Sequence, residues 1–554
     1  MKTHSGKSAS RPRANFPATK SWTSSAAVRL AVLLAGALGA TGVFGGDWPQ
    51  YRGPNHDGIS TETIRTNWAA EPPKEVWKVN LGSAWSSFAV SGGRVFTQVR
   101  RLSEMKQREF CVALDSQTGQ ELWATSLDAA QYPEDSALWG QDGSVLGGLD
   151  EPQTFREADE GPRSTPSVDG DRVYVLTTFL RLVCLDSASG REQWSHDFIK
   201  TDGARNIPFY SGASPLVEGD LVLVNCNVPN QCLIALRKQD GTVAWQGRDD
   251  FRMTHSTPVM ATIAGVRQAV WAVQSGLISI QPATGQVLWR FGISPYSDFE
   301  ISPVVAADVV YYSASYGTGA AAAGVQASEG KLTAATRWRT YAKNRNHWAT
   351  PVHHEGYLYG PFGYGNTLED PNAYIGYLKC VDLKTGTIQW TQTGVKNGAV
   401  LMAGTNLLAL TQDGVVVLIQ PDPAAYRELG RFKAVKGICW NVPALSDGRL
   451  YVRSTSQAAC FDLAPQTAPK LRLRSERTGP GESIRLRIGN DDGSLLDAKR
   501  QFRIRVLGAA TPDSGTNGWR RLTYDPIYVD GELQVDDDDS LILPQRFYRT
   551  EEIP

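Results

Sequence analysis

The sequence predicts an all-β chain whose main part is an eight-bladed β-propeller with four-stranded blades. Two recurring sequence motifs predict this fold. The first, called here the tryptophan phrase, is a strand–turn–strand pattern that ends on tryptophan, and the second marks the start of a strand before each tryptophan phrase. The composition agrees, because 53 Gly and 30 Pro among 554 residues favour turns over long helices. Hydrophobic residues at 41% and charged residues at 20% are ordinary for a globular protein, which excludes disorder and collagen.

The tryptophan phrase occurs in five full copies, in each of which a glycine stands four positions before the tryptophan. This spacing is typical of a tight β-hairpin whose turn requires a positive φ. Two degenerate copies end at Trp338 and Phe432, and neighbouring units are 42 to 71 residues apart, which suits one blade each. The five tryptophans and their glycines are Trp123, Trp194, Trp245, Trp289 and Trp390 with Gly119, Gly190, Gly241, Gly285 and Gly386.

The last repeat, Trp440 to Leu463, has no tryptophan strand of its own. A separate segment, EVWKV around Trp77, stands before the first full copy and can supply that strand. Such pairing would close the ring between about Glu75 and Leu463 and hide the free sheet edges. The predicted organisation is a signal peptide (1–46), a lead-in segment (47–74), the propeller (75–465), and an accessory β segment with an acidic tail (466–554).

The N-terminal residues have the pattern of an export signal. Residues 1–29 contain six Lys and Arg and no acidic residue, and an apolar run follows from Leu30 to Phe44. We expect a chain exported to the periplasm or cell envelope, with an uncleaved N-terminal anchor as the alternative. A lipoprotein is not expected, because no Cys lies near residue 46. No later segment is apolar enough to span a membrane.

Net charge and cysteine content exclude further classes. The formal net charge of −1 provides no basic surface for nucleic acid. Seven cysteines cannot all pair, so this is not a disulfide scaffold. Cys226 and Cys232 flank a predicted hairpin turn, where a disulfide and two buried thiols are both compatible with the sequence.

The tryptophan repeat resembles the PQQ-like propeller repeat, which quinoprotein alcohol dehydrogenases share with BamB-type outer-membrane assembly proteins. The segment DWPQYRGPNHDGIS, Asp47 to Ser60, resembles the lead-in of many secreted bacterial members of this group. The resemblance covers about 400 of the 554 residues. It implies the propeller fold and says little about activity, because one fold carries many functions.

In a propeller the innermost strands begin around the axis at one end, so the residue that opens each of them should belong to one ring. We expect this ring to hold a ligand or partner; the alternative is that its members cap strands and fill the channel. The predicted ring residues are Trp85, Arg163, Gly212, His255, Glu300, Trp348, Asn397 and Trp440.

With a regular strand order, two long insertions are predicted to overhang the same ring, and ordered loops on a rigid scaffold often carry function. One is acidic and runs from Asp128 to Gly161; the other, Gly360 to Tyr377, offers a possible contact surface for a peptide or glycan. Its tyrosines are Tyr364, Tyr374 and Tyr377. A third segment, GTGAAAAG at residues 317–324, is predicted to be a flexible hairpin tip, since it lacks the Lys of a phosphate-binding loop.

The quinoprotein resemblance implies a tryptophan that covers PQQ and a Ca²⁺ ion held by Glu, Asn and Asp. Glu300 and Asn397 are the right types for the metal, Trp348 or Trp440 for the quinone, and Asp298 lies nearby. The adjacent cysteine pair of those enzymes is absent. A divergent PQQ- and Ca²⁺-dependent oxidoreductase is therefore the alternative function, and otherwise neither a cofactor nor a metal is expected.

Beyond Leu463 the composition changes to KLRLRSER, SIRLRIGN and QFRIRVLG, three alternating segments that predict strands with Arg on one face up to about Leu507. The remainder, which includes Asp536 to Asp539, is predicted to be an irregular acidic tail. The leading hypothesis for the whole chain is an exported binding or scaffolding module without catalytic residues. Its partner would be an envelope protein, a peptide or a glycan.

Overall fold

The computed structural model describes residues 46–554 with gaps at 130–160, 207–209, 230, 232, 248–253, 294–300, 315–317, 342–343, 365–374, 466–469, 478–482, 492, 494, 497–499, 513–517, 523–526, 530, 542–545 and 553–554. The predicted signal peptide, most of the acidic insertion and the centre of the tyrosine insertion therefore lie outside the described residues. Within them the chain is nearly all β, with one short α-helix, α1 (Phe198–Asp202), and two 3₁₀ turns, Arg500–Arg503 and Asp538–Leu541.

Eight antiparallel sheets follow one another along the described part of the chain up to Asp462. Two strands precede them: β1 (Ile59–Ser60) and β2 (Lys74–Asn80). Sheet 1 contains β3 (Ala89–Ser91), β4 (Arg94–Ser103), β5 (Lys106–Asp115) and β6 (Glu121–Ala129). Sheet 2 contains β7 (Ser167–Asp169), β8 (Arg172–Leu176), β9 (Arg181–Asp186) and β10 (Glu192–Asp197). Sheet 3 contains β11 (Leu216–Glu218), β12 (Leu221–Asn225), β13 (Leu233–Arg237) and β14 (Val243–Gln246).

The next three sheets repeat the same order. Sheet 4 contains β15 (Val259–Ile263), β16 (Val266–Val273), β17 (Gly276–Ile280) and β18 (Val287–Gly292). Sheet 5 contains β19 (Val304–Ala306), β20 (Val309–Ala314), β21 (Gly319–Ser328) and β22 (Lys331–Thr340). Sheet 6 contains β23 (Val352–His354), β24 (Tyr357–Tyr364), β25 (Ile375–Asp382) and β26 (Ile388–Lys396).

The last two sheets recruit the strands from the N-terminal side. Sheet 7 contains β27 (Ala399–Ala403), β28 (Asn406–Leu410), β29 (Val415–Gln420) and β30 (Arg427–Lys433), with β1 added in parallel beside β27. Sheet 8 contains β31 (Ala444–Ser446), β32 (Arg449–Arg453) and β33 (Gln457–Asp462), with β2 as its fourth strand. Trp77 of β2 lies opposite Cys460 of β33, the pairing predicted for the EVWKV segment. A succession of four-stranded sheets is the arrangement expected of a β-propeller.

Tryptophans join neighbouring sheets. In each outer strand that ends a full repeat, the register shifts by one residue just before the tryptophan, as between Glu192 and Trp194 in β10. The indole N–H then donates to a carbonyl in the β-turn of the following sheet. The bonds are Trp77 to Ser116 (3.0 Å), Trp123 to Ser187 (3.2 Å), Trp194 to Lys238 (3.1 Å), Trp245 to Pro282 (2.8 Å), Trp338 to Leu383 (2.8 Å) and Trp390 to Asp422 (2.8 Å).

Trp289 departs from this scheme. Its indole N–H donates to Oε1 of Gln268 in the same sheet (2.6 Å), and both side chains are buried. At the corresponding turn of sheet 5, Glu329–Gly330, no atom lies within 4 Å of a Cβ placed on the glycine, so no indole docks on it. Sheets 4 and 5 instead share an apolar cluster in which Phe291 contacts Tyr312, with ring centroids 5.7 Å apart.

Hydroxyl groups join the inner ends of the sheets. A Ser or Thr stands just before the proline of an inner strand, or at the equivalent position of the repeat. Its hydroxyl oxygen accepts a hydrogen bond from the backbone N–H of the residue at the equivalent position in the preceding sheet. The bonds are Val442 to Ser87 (2.9 Å), Ser87 to Thr165 (3.0 Å), Thr165 to Ser214 (2.9 Å), Ser214 to Thr257 (2.9 Å) and Ser302 to Thr350 (3.0 Å). The first of these bonds connects sheet 8 with sheet 1.

The lead-in segment, residues 47–68, runs across the inner strands. Trp48 exchanges backbone hydrogen bonds with Val90 of sheet 1 (2.9 and 2.7 Å), and the N–H of Val168 in sheet 2 donates to the carbonyl of Pro49 (2.8 Å). Further along, Arg65 donates to the carbonyls of Asp462 and Ala464 at the end of sheet 8 (2.9 Å each). The segment therefore ties together strands that are far apart in sequence.

His56 in this segment is buried, and neither of its ring nitrogens has a hydrogen-bond partner among the described residues. Burial, and then the positive charges of Arg267 and Arg52, lower its pKa to about 3 from the usual 6.5. Below pH 6.5 the unfolded chain would bind a proton that the folded chain does not, so stability should fall as the pH is lowered towards 3. We expect His56 to contribute about 1.4 kcal/mol of destabilisation per pH unit below 6.5.

Urea unfolding between pH 7 and pH 5 measures this effect, and the His56→Gln variant should show a shallower loss of stability than the parent chain. His354→Gln, on the partly exposed strand β23, is the matched control and should keep the parental slope. Equal slopes in the parent and His56→Gln would contradict the prediction.

The described residues after Leu463 contain seven strands: β34 (Leu471–Arg477), β35 (Ile484–Asn490), β36 (Ile504–Ala509), β37 (Arg520–Arg521), β38 (Ile527–Val529), β39 (Glu532–Asp537) and β40 (Phe547–Glu552). They form a four-stranded sheet in the order β34-β35-β39-β38 and a three-stranded sheet in the order β37-β36-β40. The prediction of an irregular acidic tail is therefore wrong for Ile527–Val529, Glu532–Asp537 and Phe547–Glu552. Asp536 lies in β39 and makes two hydrogen bonds with Arg485 of β35 (2.8 and 2.9 Å), so Arg and Asp of the two strands pair on one face.

Two further expectations have structural answers. The GTGAAAAG segment is not a flexible tip, because residues 319–324 lie in the buried strand β21. Its alanines and glycine permit close packing, and a Cβ on Gly324 would lie 2.2 Å from Nε of Arg337. Cys226 is buried, but Cys232 lies outside the described residues, so the proposed disulfide stays a prediction. In the described part of the chain no helix has the length and apolarity needed to cross a membrane.

Candidate functional site

Seven of the eight predicted ring residues lie in the described part of the chain, each just before or at the start of an inner strand; Glu300 lies outside it. We call these seven the mouth ring: Trp85, Arg163, Gly212, His255, Trp348, Asn397 and Trp440. The structure brings them together in two groups, one built on tryptophans and one on Arg163 and His255.

The tryptophan group is a stack of three partly buried indoles. The ring centroids of Trp85 and Trp440 are 4.6 Å apart with an angle of 20° between the planes, and those of Trp440 and Trp348 are 4.3 Å apart with an angle of 30°. Trp440 thus has an indole on both faces. The stack joins the inner strands of sheets 1, 6 and 8 and presents apolar edges next to polar groups.

Gln412 holds one side of this stack. Its Oε1 accepts hydrogen bonds from the indole N–H of Trp440 (2.8 Å) and from Nδ2 of Asn397 (2.9 Å). Oδ1 of Asn397 in turn accepts the backbone N–H of Gly376 (2.6 Å). Both Nδ2 and Oδ1 of the Asn397 side-chain amide are therefore hydrogen-bonded. The backbone of Asn397 has a φ of 46°.

A shallow, solvent-open crevice lies beside the stack. Its lining residues come from the loop before β23, from β24 and β25, and from the turn before β27: His347, Trp348, Ala349, Pro361, Gly363, Gly376, Asn397 and Gly398. Two of the lining residues, Trp348 and Asn397, were predicted from the strand starts. His347 was not, although its neighbour Trp348 marks the position.

The second group centres on Gly212. A Cβ placed on this glycine would lie 3.6 Å from Nδ1 of His255 and 3.7 Å from Cβ of Arg163, so the three ring positions of sheets 2, 3 and 4 are in contact distance. Burial, with the charges of Arg163 and His347 added, lowers the pKa of His255 to about 3. Burial lowers the pKa of His347 to about 4.

His347 connects the two groups. Its ring contacts Trp348 edge to face, with centroids 4.9 Å apart, and a proton on His347 would lower the pKa of His255. Both imidazoles are neutral at pH 7, because their pKa values lie far below it. The mouth ring, together with the adjacent His347, therefore offers indole edges, two neutral imidazoles, an amide and the Arg163 guanidinium to a bound group.

The two tryptophans that the quinoprotein resemblance assigns to PQQ are already covered, whereas Asp298 and Glu300, which it assigns to Ca²⁺, lie outside the described residues. Both faces of Trp440 are covered by Trp85 and Trp348, while Trp348 has one face on Trp440 and His347 against it. The carbonyl oxygen of Asn397, which would ligate Ca²⁺, already accepts a backbone N–H.

No other metal site emerges from the described residues, where no group of three or more His, Cys, Asp or Glu side chains is close enough to hold an ion. His353 and His354 are neighbours on β23 and so lie on opposite faces of the strand, as their sequence indicates. Of the three predicted contact tyrosines, Tyr377 lies in β25 opposite Phe362, and Tyr374 lies outside the described residues. Tyr364 ends β24 opposite Ile375.

Comparison with known proteins identifies relatives. A family model described as outer membrane protein assembly factor BamB matches residues 111–392. The outer membrane protein assembly factor BamB of Moranella endobia (strain PCIT) is 23% identical over 366 residues, which cover 62% of this chain and 77% of the relative.

Solved structures resemble the chain at lower identity. The crystal structure of BamB from Moraxella catarrhalis has a TM-score of 0.48 and 16% identity, and the match covers 71% of this chain and 99% of that one. The quinohemoprotein alcohol dehydrogenase from Comamonas testosteroni has a TM-score of 0.49 and 12% identity, and the match covers 78% of this chain and 83% of that one.

Proposed function

Because this chain belongs to the family described as outer membrane protein assembly factor BamB, we propose that it is an exported scaffold of the cell envelope that binds another protein or a peptide at the mouth ring. The curated relative from Moranella endobia carries the same description. The proposal includes neither a catalytic residue nor a cofactor. Export rests on the basic and apolar pattern of residues 1–46.

We take the scaffold to be an eight-bladed propeller whose eighth blade is completed by β2. Eight successive sheets and the pairing of Trp77 with Cys460 support this architecture. Two contacts between the first and eighth sheets support closure: Val442 donates to Ser87, and Trp77 docks on Ser116. A closed ring leaves no inner edge open to other chains and holds the mouth residues at fixed positions.

One observation carries the binding role. Residues from six sheets, separated by up to 355 positions in sequence, converge at one end as indoles, imidazoles, an amide and a guanidinium. Tryptophan and arginine are the residue types that dominate protein interfaces, because they combine apolar area with directed hydrogen bonding. The rigid support from Gln412 lowers the entropy that such side chains would lose on binding.

Site-specific crosslinking tests the proposal. A photoreactive amino acid at Lys436, an exposed residue in the loop that leads to Trp440, should crosslink to an envelope protein in the native host. Trp440→Ala in the same chain should abolish that crosslink. The matched control is the same amino acid at Lys384, an exposed residue of the β-turn at the opposite end of the strands.

Crosslinks of equal yield at both positions, or none at Lys436, would overturn the proposal. A crosslink to a polysaccharide instead of a protein would also overturn it and favour the glycan alternative. The oxidoreductase alternative has its own test, calorimetric titration with PQQ and Ca²⁺, in which we expect no saturable heat. Saturable micromolar binding that disappears in Glu300→Ala would favour the quinoprotein function instead.

A further inference from the structure

The hairpin of β4 and β5 in sheet 1 is longer than its counterparts. Both strands have ten residues, whereas β8 and β9 of sheet 2 have five and six. Gln98 of β4 lies level with the end of β8, because its Nε2 donates to the carbonyl of Leu176 (3.2 Å). Beyond Gln98 the hairpin continues for five more residue pairs, Val99–Ser103 opposite Lys106–Phe110.

The base of this extension is fixed to its surroundings. Val99 and Glu109 are fully buried, and Oε2 of Glu109 accepts the backbone N–H of Thr178 in the neighbouring sheet (3.1 Å). On the other side the backbone N–H of Arg100 donates to the carbonyl of Ser83 (2.8 Å). The extension is therefore a supported projection rather than a free loop.

The tip of the hairpin is locally unfavourable. Its two-residue turn, Glu104 and Met105, has φ values of 50° and 61°, where Asn-Gly would form the same turn with less strain. Arg101 and Arg108 lie directly opposite each other across the strands, and only Arg101 has a described ion pair, with Glu121 (2.6 Å). A residue choice that costs stability at an exposed place indicates selection for the side chains themselves.

Those side chains are apolar at the end and basic behind it. Met105 is 90% exposed and Leu102 is 65% exposed, and both are among the most exposed large apolar residues of the described part. The tip carries four basic residues, and Glu104 is the one exposed acidic residue between Arg100 and Arg108. The basic residues are Arg100, Arg101, Lys106 and Arg108. This local excess of positive charge stands out in a chain with a net charge of −1.

We propose that this hairpin tip docks on an anionic lipid surface, with Met105 and Leu102 inserted and the basic residues at the level of the headgroups. Two apolar side chains are far too small for a stable protein interface, which buries about 800 Å² on each partner. They suit an interfacial insertion of roughly 5–10 Å. The basic residues stand within four positions of the turn, or about 14 Å, where Lys106 and Arg108, unlike the Arg101 that Glu121 pairs, contribute attraction to anionic lipid. The surface lies outside the mouth ring, so the inference goes beyond the partner-binding role.

An environment-sensitive fluorophore tests the insertion. It is attached to the full chain through Met105→Cys, with Cys232→Ser to remove the cysteine that is not known to be buried. Fluorescence is the readout because the apolar run at residues 30–44 can itself bring the chain to vesicles. The matched control carries the fluorophore at Leu495→Cys, which is 74% exposed in the C-terminal part.

Vesicles with phosphatidylglycerol should shift the emission at position 105 to the blue, while phosphatidylcholine vesicles should not. In the Lys106→Glu and Arg108→Glu double variant, at least a tenfold higher lipid concentration should be needed for the same emission shift. Salt at 0.5 M should also raise the lipid concentration that is needed. No shift at position 105, or an equal shift at position 495, would overturn the proposal. A probe at 105 that stays in water with every vesicle but crosslinks to a protein would overturn it in favour of protein docking.

Discussion

Replacement of Arg52 by Met should lower the free energy of unfolding by about 3–5 kcal/mol. The guanidinium is 1% exposed and donates to four backbone carbonyls: His56 (3.3 Å), Thr350 (3.0 Å), Asp57 (2.7 Å) and Pro351 (3.0 Å). Two of these carbonyls belong to the lead-in segment and two to the inner edge of sheet 6. Methionine fills similar volume but leaves all four carbonyls without this donor in a place that water reaches poorly.

Urea unfolding of the Arg52→Met variant measures the loss through the midpoint at unchanged slope. Arg191→Met, an exposed arginine in the turn of sheet 2, is the matched control and should change stability by less than about 0.5 kcal/mol. A loss below about 1 kcal/mol in Arg52→Met would mean that the lead-in segment does not hold the inner strands together.

The sheet succession could be predicted because its signals are local. A strand, a glycine turn and a tryptophan recur within about a dozen residues. The units that end at Trp194 and Trp390, for example, can each be recognised without knowledge of the neighbouring units. The glycines were predicted for their positive φ, and Gly241 has φ of 72°. Their second function was missed: the same glycines leave room for the tryptophan of the preceding sheet, a contact between residues 40 to 67 positions apart.

The mouth ring could be predicted in part for the same reason. A fixed repeat determines where every inner strand begins, and Trp85, Trp348 and Trp440 fall at that place. Side-chain packing within the ring has no such signal. Gln412, which orients Trp440, lies in a turn between β28 and β29, and no periodicity marks a turn residue as a hydrogen-bond partner for a residue 28 positions away.

The C-terminal error has a physical cause as well. Asp536 to Asp539 form an acidic run, and composition alone favours a solvated tail. In the fold, Asp536 faces Arg485, which is 51 positions away, and this arginine lowers the pKa of the carboxyl through hydrogen bonds. The alternating Arg of β35 was recognised, but which residues lie opposite depends on strand order, and β39 rather than β36 pairs with β35.

The difference between local signals and contacts distant in sequence makes the five glycine turns the best place to test the architecture. A turn glycine that only provides positive φ and a turn glycine that also receives a tryptophan can both follow an aspartate, as Gly170 and Gly241 do. They differ in what a methyl group would meet, and the structure contains both kinds at comparable φ values: Gly170 has φ of 59° with no atom within 4 Å, and Gly241 has φ of 72° against Trp194.

Gly241→Ala should therefore destabilise the chain by about 2–4 kcal/mol, and Gly170→Ala by about 1 kcal/mol. The new Cβ at position 241 would lie 2.4 Å from Cε3 of Trp194, whose indole N–H is held by the carbonyl of Lys238 at 3.1 Å, so the ring cannot retreat without losing that bond. Gly170→Ala is the control for the backbone cost alone, measured by the same urea unfolding. Trp194→Ala removes the obstacle, so in that background Gly241→Ala should cost no more than Gly170→Ala, a coupling that a double-mutant cycle quantifies. Equal losses for the two glycines in the parent chain would mean that tryptophan docking does not join sheets 2 and 3.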